Sequence, residues 1–223
     1  MSGPASEPPK QRSPRHEFPV QSSKDIYAGR VMALRSDEVL MPGGRVAVRE
    51  ILEHAGAVAI VALDPDDRLM MIHQYRHPVH RRLWEIPAGL LDVQGEDPLE
   101  AAKRELAEES GLAATDWSVL IDVVPSPGFS DESVRVYLAR GLTEVGRPEP
   151  GDDEEADMST RWVTLSVAVR MVLTGTIVNG ATVAAVLAAH AVVGAGASGR
   201  PVDAPWPDRP TRFAERPSPS PRA

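Results

Sequence analysis

Apolar residues in this chain fall mostly in short blocks between polar turns, and block length separates strands from helices. GAVAIVAL, residues 56–63, is apolar almost throughout, which predicts a strand buried on both faces followed by a turn at DPDD. RLMMIHQYR, 68–76, is its predicted partner. AGRVMALRSDEVLMPGGRVAVREIL, 28–52, predicts short strands around the turn Pro42-Gly43-Gly44. SVLIDVV (118–124), SVRVYLA (133–139) and TRWVTL (160–165) predict further strands. Two regions carry helical spacing instead. Leu99, Ala102 and Leu106 form an apolar stripe over 98–110, and 166–193 predicts two helices broken near Asn179-Gly180.

The first of these helices has strong end signals. Asp97 is a good N-cap, Pro98 suits the first helical position, and Glu100 completes a capping-box spacing. Gly111 fits the left-handed C-terminal position. The ends of the chain carry little to bury. Residues 1–22 are rich in Pro, Ser and basic residues, and 199–223 is proline-rich, so both are expected to be flexible tails, with Trp206 and Phe213 able to dock locally.

Composition narrows the class. Apolar residues make up 42% of the 223, enough for a sizeable core, and charged residues 25%, typical of a soluble globular protein. The net charge of −8 argues against a general nucleic-acid binder. With no cysteine, disulfides, thiolate zinc sites and cysteine nucleophiles are excluded together. The N-terminus shows no apolar signal core, and the Ala-rich stretch 181–197 is too short and too weakly apolar for a membrane span. A cytoplasmic protein without membrane or nucleic-acid partners is expected. His73, His77 and His80 show no zinc-ligand spacing and are read as structural or surface residues.

Candidate chemistry gathers in RELAEESGL, 104–112. At helical spacing Glu105, Glu108 and Glu109 share one face. Like charges so placed cost about 0.2–0.5 kcal/mol per pair, and Arg104 pairing with Glu108 relieves only part of this. A hard divalent cation would turn the repulsion into ligation, and the alternative is a solvated acidic face. Glu109 lies beside the apolar stripe, at the edge of the buried face, which weakens that alternative.

The longer stretch PAGLLDVQGEDPLEAAKRELAEESGL resembles the Nudix box. Gly89, Glu96, Arg104-Glu105-Leu106, Glu108-Glu109 and Gly111-Leu112 match it, with six residues between Gly89 and Glu96 in place of five. GAVAIVAL, QYRH, LWEIPAGLLD and SPGFSDES, with Pro127 about fifteen residues past the box, resemble the ADP-ribose pyrophosphatase branch. The resemblance covers roughly 28–190 and implies an α/β/α sandwich around a mixed sheet, with a small N-terminal antiparallel β domain that forms a homodimer. The expected division is 23–54 for that β domain and 55–198 for the hydrolase domain.

The same resemblance implies hydrolysis of a nucleoside diphosphate sugar, ADP-ribose giving AMP and ribose 5-phosphate. Another ADP-sugar or NADH is the alternative substrate, and an ADP-ribose-sensing regulator without catalysis is a more distant one. Two or more Mg2+ or Mn2+ ions are expected on Glu105, Glu109 and the carbonyl of Ala88, with Glu108 a further ligand. Arg104 would orient the glutamates, and Glu96 would be either a ligand or a loop brace. The general base is expected from GDDEEADM, 151–158, as Glu155 or else Glu154; a solvated acidic turn is the alternative. Arg76 is expected to bind phosphate rather than serve as a sheet-edge salt bridge. Arg49 is expected to reach a partner's site, and Phe129, Ser130 and Glu132 to line the substrate loop. Trp84 is read as core rather than as a base platform.

Overall fold

The computed structural model describes residues 17–147 and 158–216. Three sheets carry the fold. β1 (Val20–Ala28), β2 (Met32–Leu40) and β3 (Val46–His54) form an antiparallel sheet in chain order. The central sheet has the order β7-β4-β9-β8, built from β4 (Ala57–Ala62), β7 (Ala88–Leu90), β8 (Leu112–Val123) and β9 (Val134–Glu144). It is mixed, because β4 runs parallel to β9 while β7 and β8 run antiparallel to their neighbours. β10 (Ser159–Thr164), β5 (Arg68–Arg76) and β6 (Arg81–Glu85) make the third sheet, with β5 in the middle.

The continuous apolar run of β4 is explained by its place in the sandwich. Val58, Ile60 and Ala62 pack with Ala101, Ala102 and Leu106 of α1 (Pro98–Ser110). The alternate residues Ala57, Ala59 and Val61 pack on the opposite side with Ala185, Val186 and Ala189 of α3 (Gly180–Gly194). α2 (Leu165–Leu173) adds Leu165 and Ala168 to the same layer. The result is the α/β/α arrangement expected from the sequence. No helix among the described residues is long and apolar enough to cross a membrane.

Several local expectations need correction. β5 pairs with β10 and β6, and its bridge toward β4 is the isolated Leu63–Leu69 one beyond the strand end, because both edges of β4 are taken by β7 and β9. β1 begins at Val20, inside the stretch expected to be tail; all its residues are exposed, so no burial period marks it. β6 and β7 were not foreseen, and β8 begins at Leu112 rather than Ser118. In α1, Asp97 caps the Leu99 N–H at 2.8 Å as expected, but Glu100 takes Lys103 at 2.8 Å instead of closing a capping box.

Gly111 closes α1 with φ 70°. A Cβ there would also lie 2.9 Å from the backbone N of Arg147, so the segment 145–147 fits over the helix end only against glycine. Gly111→Ala is expected to cost about 1–3 kcal/mol. Read by calorimetry, that lowers Tm by about 2–4 °C for each kcal/mol in a chain of this size.

The chain from Gly199 is not a free tail as far as residue 216. Arg200 exchanges main-chain hydrogen bonds with Val119, both 2.8 Å, and its guanidinium pairs with Asp122 at 2.9 Å. Arg216 donates to Asp25 and to Glu53, a fully buried carboxylate that also pairs with Arg35. Burial alone would raise the Glu53 carboxyl; hydrogen bonds from Arg216 and Arg35 outweigh it and hold it below the ordinary range. Asp25 is held low chiefly by its hydrogen bond from Arg216. A carboxyl depressed in the folded state contributes stability above its unfolded value of about 4 and loses it as pH falls through the folded value. Arg216→Ala is therefore expected to lower the urea midpoint at pH 7, with the gap to wild type closing below about pH 4.

Candidate metal and substrate site

The loop before α1 and the first residues of β7 bring the box together. Arg104 is the hub. Its Nε and Nη2 donate to the two oxygens of Glu96 at 3.0 and 3.1 Å, and its Nη1 donates to Glu105 at 2.7 Å and to Glu108 at 2.9 Å. The Glu96 bonds, followed by Glu105 and Glu108, raise the Arg104 pKa further above its already high ordinary value, against the opposing pull of burial. Glu96 thus spends both oxygens bracing the loop to the helix.

Glu109 is buried, and its Oε2 accepts the Ala88 N–H at 2.8 Å. Glu105 lies directly over Gly89, where any Cβ would overlap its carboxylate. That close approach accounts for glycine at this position despite the longer spacing to Glu96. Ala88 and Gly89 also line a cavity of about 410 Å3, so Glu109 and Glu105 adjoin it through the two residues they lie against.

The donor set suits a hard divalent ion. It consists of carboxylate oxygens on Glu105, Glu108 and Glu109, with Glu96 adding a fourth negative charge and Arg104 pairing with Glu96, Glu105 and Glu108. Among the described residues no three acidic or imidazole side chains converge closely enough to enclose an ion by themselves. The carboxylates are turned instead to Arg104 and to the Ala88 N–H.

The cavity places the remaining candidates. Arg76 lines it but is held bidentate by Glu85, with Nε to Oε1 at 3.1 Å and Nη2 to Oε2 at 2.7 Å. Glu85 is itself buried and takes Gln74 Nε2 at 3.2 Å. Arg76 therefore holds the salt bridge offered as its alternative role while still facing the cavity. Glu132 is in the lining, and its N–H is held by Ser130 Oγ at 3.1 Å. Ser130 is buried, whereas Phe129 is exposed and outside the lining. Arg49 is also outside it, on the exposed part of β3, donating to the Val48 carbonyl at 2.9 Å. Trp84 stacks on His73 with ring centroids 4.4 Å apart and packs against the core. Glu154 and Glu155 lie outside the described residues.

Four polar lining residues were not predicted as site residues from sequence: His54, Glu85, Asn179 and Thr182. Only Glu85 carried a signal, as a lone carboxylate in the apolar run LWEIPAGLL. The Leu52 main chain ties β3 to the loop 129–132, donating to the Phe129 carbonyl at 2.8 Å and accepting from the Asp131 N–H at 3.2 Å. Asp131 in turn accepts the His54 N–H at 2.9 Å, and burial pushes its carboxyl above the ordinary range.

Comparison with known proteins agrees with this geometry. The NUDIX domain profile matches residues 52–184. A Mycobacterium tuberculosis protein named ADP-ribose pyrophosphatase is 56% identical over 201 residues, covering 90% of this chain and 97% of its own. A Bacillus methanolicus protein named methanol dehydrogenase activator is 38% identical over 164 residues, covering 74% and 88%. The crystal structure of an ADP compounds hydrolase shares the fold, with a TM-score of 0.70 at 21% identity, covering 84% of this chain and all of that one. On the box geometry and these likenesses together, the chain belongs to the Nudix hydrolase family.

Proposed function

We propose that the chain hydrolyses the pyrophosphate of ADP-ribose in a divalent-metal-dependent reaction, releasing AMP and ribose 5-phosphate. The observation that carries the reading is the 56% identity to the mycobacterial ADP-ribose pyrophosphatase over nearly its whole length. The intact carboxylate cluster beside a 410 Å3 cavity supports it. In the net reaction a water oxygen forms a bond to one phosphorus, the bridging P–O bond breaks, and the other phosphate leaves with the bridging oxygen.

Glu105, Glu108, Glu109 and the Ala88 carbonyl would hold Mg2+ or Mn2+. A bound divalent ion supplies charge neutralisation on the phosphate oxygens and a more acidic water. Arg104 keeps three of the glutamates apart from one another and aimed in a fixed direction. Glu132 and Arg76 face the substrate. Glu155 takes the proton from the attacking water, with Glu154 as the alternative. Glu155→Gln is expected to lower kcat by about 10^2-fold or more with KM little changed. A rise in KM alone would make it a binding residue.

The N-terminal sheet, 23–54, acts in this reading as a separate β domain and the dimerisation surface. Its exposed Ile26, Tyr27, Val46 and Val48 supply apolar area for a second copy. The hydrolase domain then spans 55–198. Light scattering on the full chain reads this directly, with a dimer mass expected.

The differently named Bacillus methanolicus relative is the reason to test substrates side by side. kcat/KM for ADP-ribose, ADP-glucose, NADH and 8-oxo-dGTP decides the assignment. ADP-ribose is expected to lead by at least about tenfold. A lead for another compound keeps the chemistry and moves the substrate.

A further inference from the structure

The segment after α3 has no regular secondary structure, yet it touches the back of the cavity wall at two separate places. The first is Trp206. Its Nε1 donates to Ser133 Oγ at 2.9 Å, and the Arg135 guanidinium lies 4.8 Å from its ring centroid. Ser133 is fully buried and sits between Glu132 and Val134, both of which line the cavity. Arg135 completes this contact by donating to the carbonyls of Ala204 at 2.8 Å and Pro205 at 3.0 Å.

The second place is Glu53. Arg216 Nε reaches Glu53 Oε2 at 2.5 Å, and Arg212 Nε lies 3.0 Å from Oε1. Glu53 is flanked by Leu52, which clasps the substrate loop through its main chain, and by His54, which lines the cavity and donates to Asp131. Between the two places, Pro210 is buried against Gly56, with its Cδ 3.2 Å from where a Cβ would stand. One strap of chain thus holds both halves of one wall, the β3 end and the loop 129–134. The carboxylate cluster on α1 is held separately, by Arg104 and the Ala88 N–H.

We propose that residues 199–216 position the substrate-binding wall, with Trp206 and Arg216 as the positioning residues. This rests on the reading that the cavity takes the nucleoside diphosphate sugar. A buried carboxylate that loses one of its arginines must re-solvate or shift, and here a shift would carry Leu52 and His54 with it. Loss of the Trp206 donor leaves a fully buried hydroxyl short of a partner directly behind Glu132. The effect falls on the binding wall and leaves the metal side of the site in place, so substrate affinity changes more than turnover.

The test uses the full chain as Trp206→Phe, which keeps a ring over Arg135 but removes the donor, and as Arg216→Gln. Amide hydrogen exchange without substrate is read first. Peptides covering 52–54 and 129–134 are expected to exchange about tenfold faster, a larger increase than the one that lowered global stability brings to α1 and β4. KM for ADP-ribose is then expected to rise about fivefold or more, with kcat within about twofold of wild type. An equal increase at the wall and in α1 and β4, or no increase at the wall, would make the strap a general stabiliser and overturn the proposal. A fall in kcat at constant KM would do the same. If wild type fails to cleave ADP-ribose, the substrate reading falls, and the exchange pattern alone still decides whether the strap positions the wall.

Discussion

Glu109→Gln is expected to reduce turnover by more than about 10^2-fold while leaving the folded protein intact. The two halves of this expectation have separate causes. Glu109 is buried and accepts the Ala88 N–H at 2.8 Å through one carboxylate oxygen. A glutamine side-chain oxygen can accept the same bond at the same size, so Tm is expected to stay within a few degrees. What disappears is a negative charge on the helix that also carries Glu105 and Glu108, held against the cavity-lining Ala88. Losing even an outer partner of a metal ligand costs roughly 10–100-fold in affinity or activity, and a direct ligand costs more. Steady-state kinetics with calorimetry on the same sample checks both halves. Near wild-type turnover would remove Glu109 from the metal site.

Gly89→Ala is expected to be nearly as damaging, for a steric reason. A Cβ at this position would occupy the space of the Glu105 side chain from Cγ to the carboxylate. The clash cannot be absorbed by the backbone alone, because neighbouring Ala88 is pinned by Glu109 and β7 pairs with β4 through Ala57–Leu90, Val58–Gly89 and Ala59–Ala88. Glu105 is the side that must move, which breaks its 2.7 Å pairing with Arg104. A fall in kcat/KM of about 10^2-fold is expected, of the size seen when a reacting group is misplaced by about 1 Å. Because β7 is a short strand at the sheet edge, the loss of stability should be smaller than the loss of activity. A variant with full activity would show that the Glu105 position over Gly89 has no part in the reaction.

The sequence made the central elements legible where local chemistry and burial agreed. The unbroken apolar run of β4 means two buried faces, and both are found, one against α1 and one against α3. Asp97, Pro98 and Gly111 mark the ends of α1 through capping and left-handed geometry, which are local effects. Arg104 pairing with Glu108 follows from helical spacing, but its grip on Glu96, eight residues back, depends on how the loop folds. What was illegible is long-range. β5 carries no mark of which strands it will join, and β1 has no buried face to leave a period. The pairing of Arg76 with Glu85 needs the β5–β6 hairpin register before the two can be seen to meet. The strap from Gly199 reads as a solvated proline-rich tail because its anchors, Ser133 and Glu53, are distant in sequence.

The most direct test of the central claim is AMP release from ADP-ribose by the full chain, in Mg2+, in Mn2+ and in EDTA. Cleavage to AMP and ribose 5-phosphate in the presence of a divalent ion, abolished by EDTA and restored by added metal, is the predicted result. Absence of cleavage with either metal, or cleavage unaffected by EDTA, would contradict it.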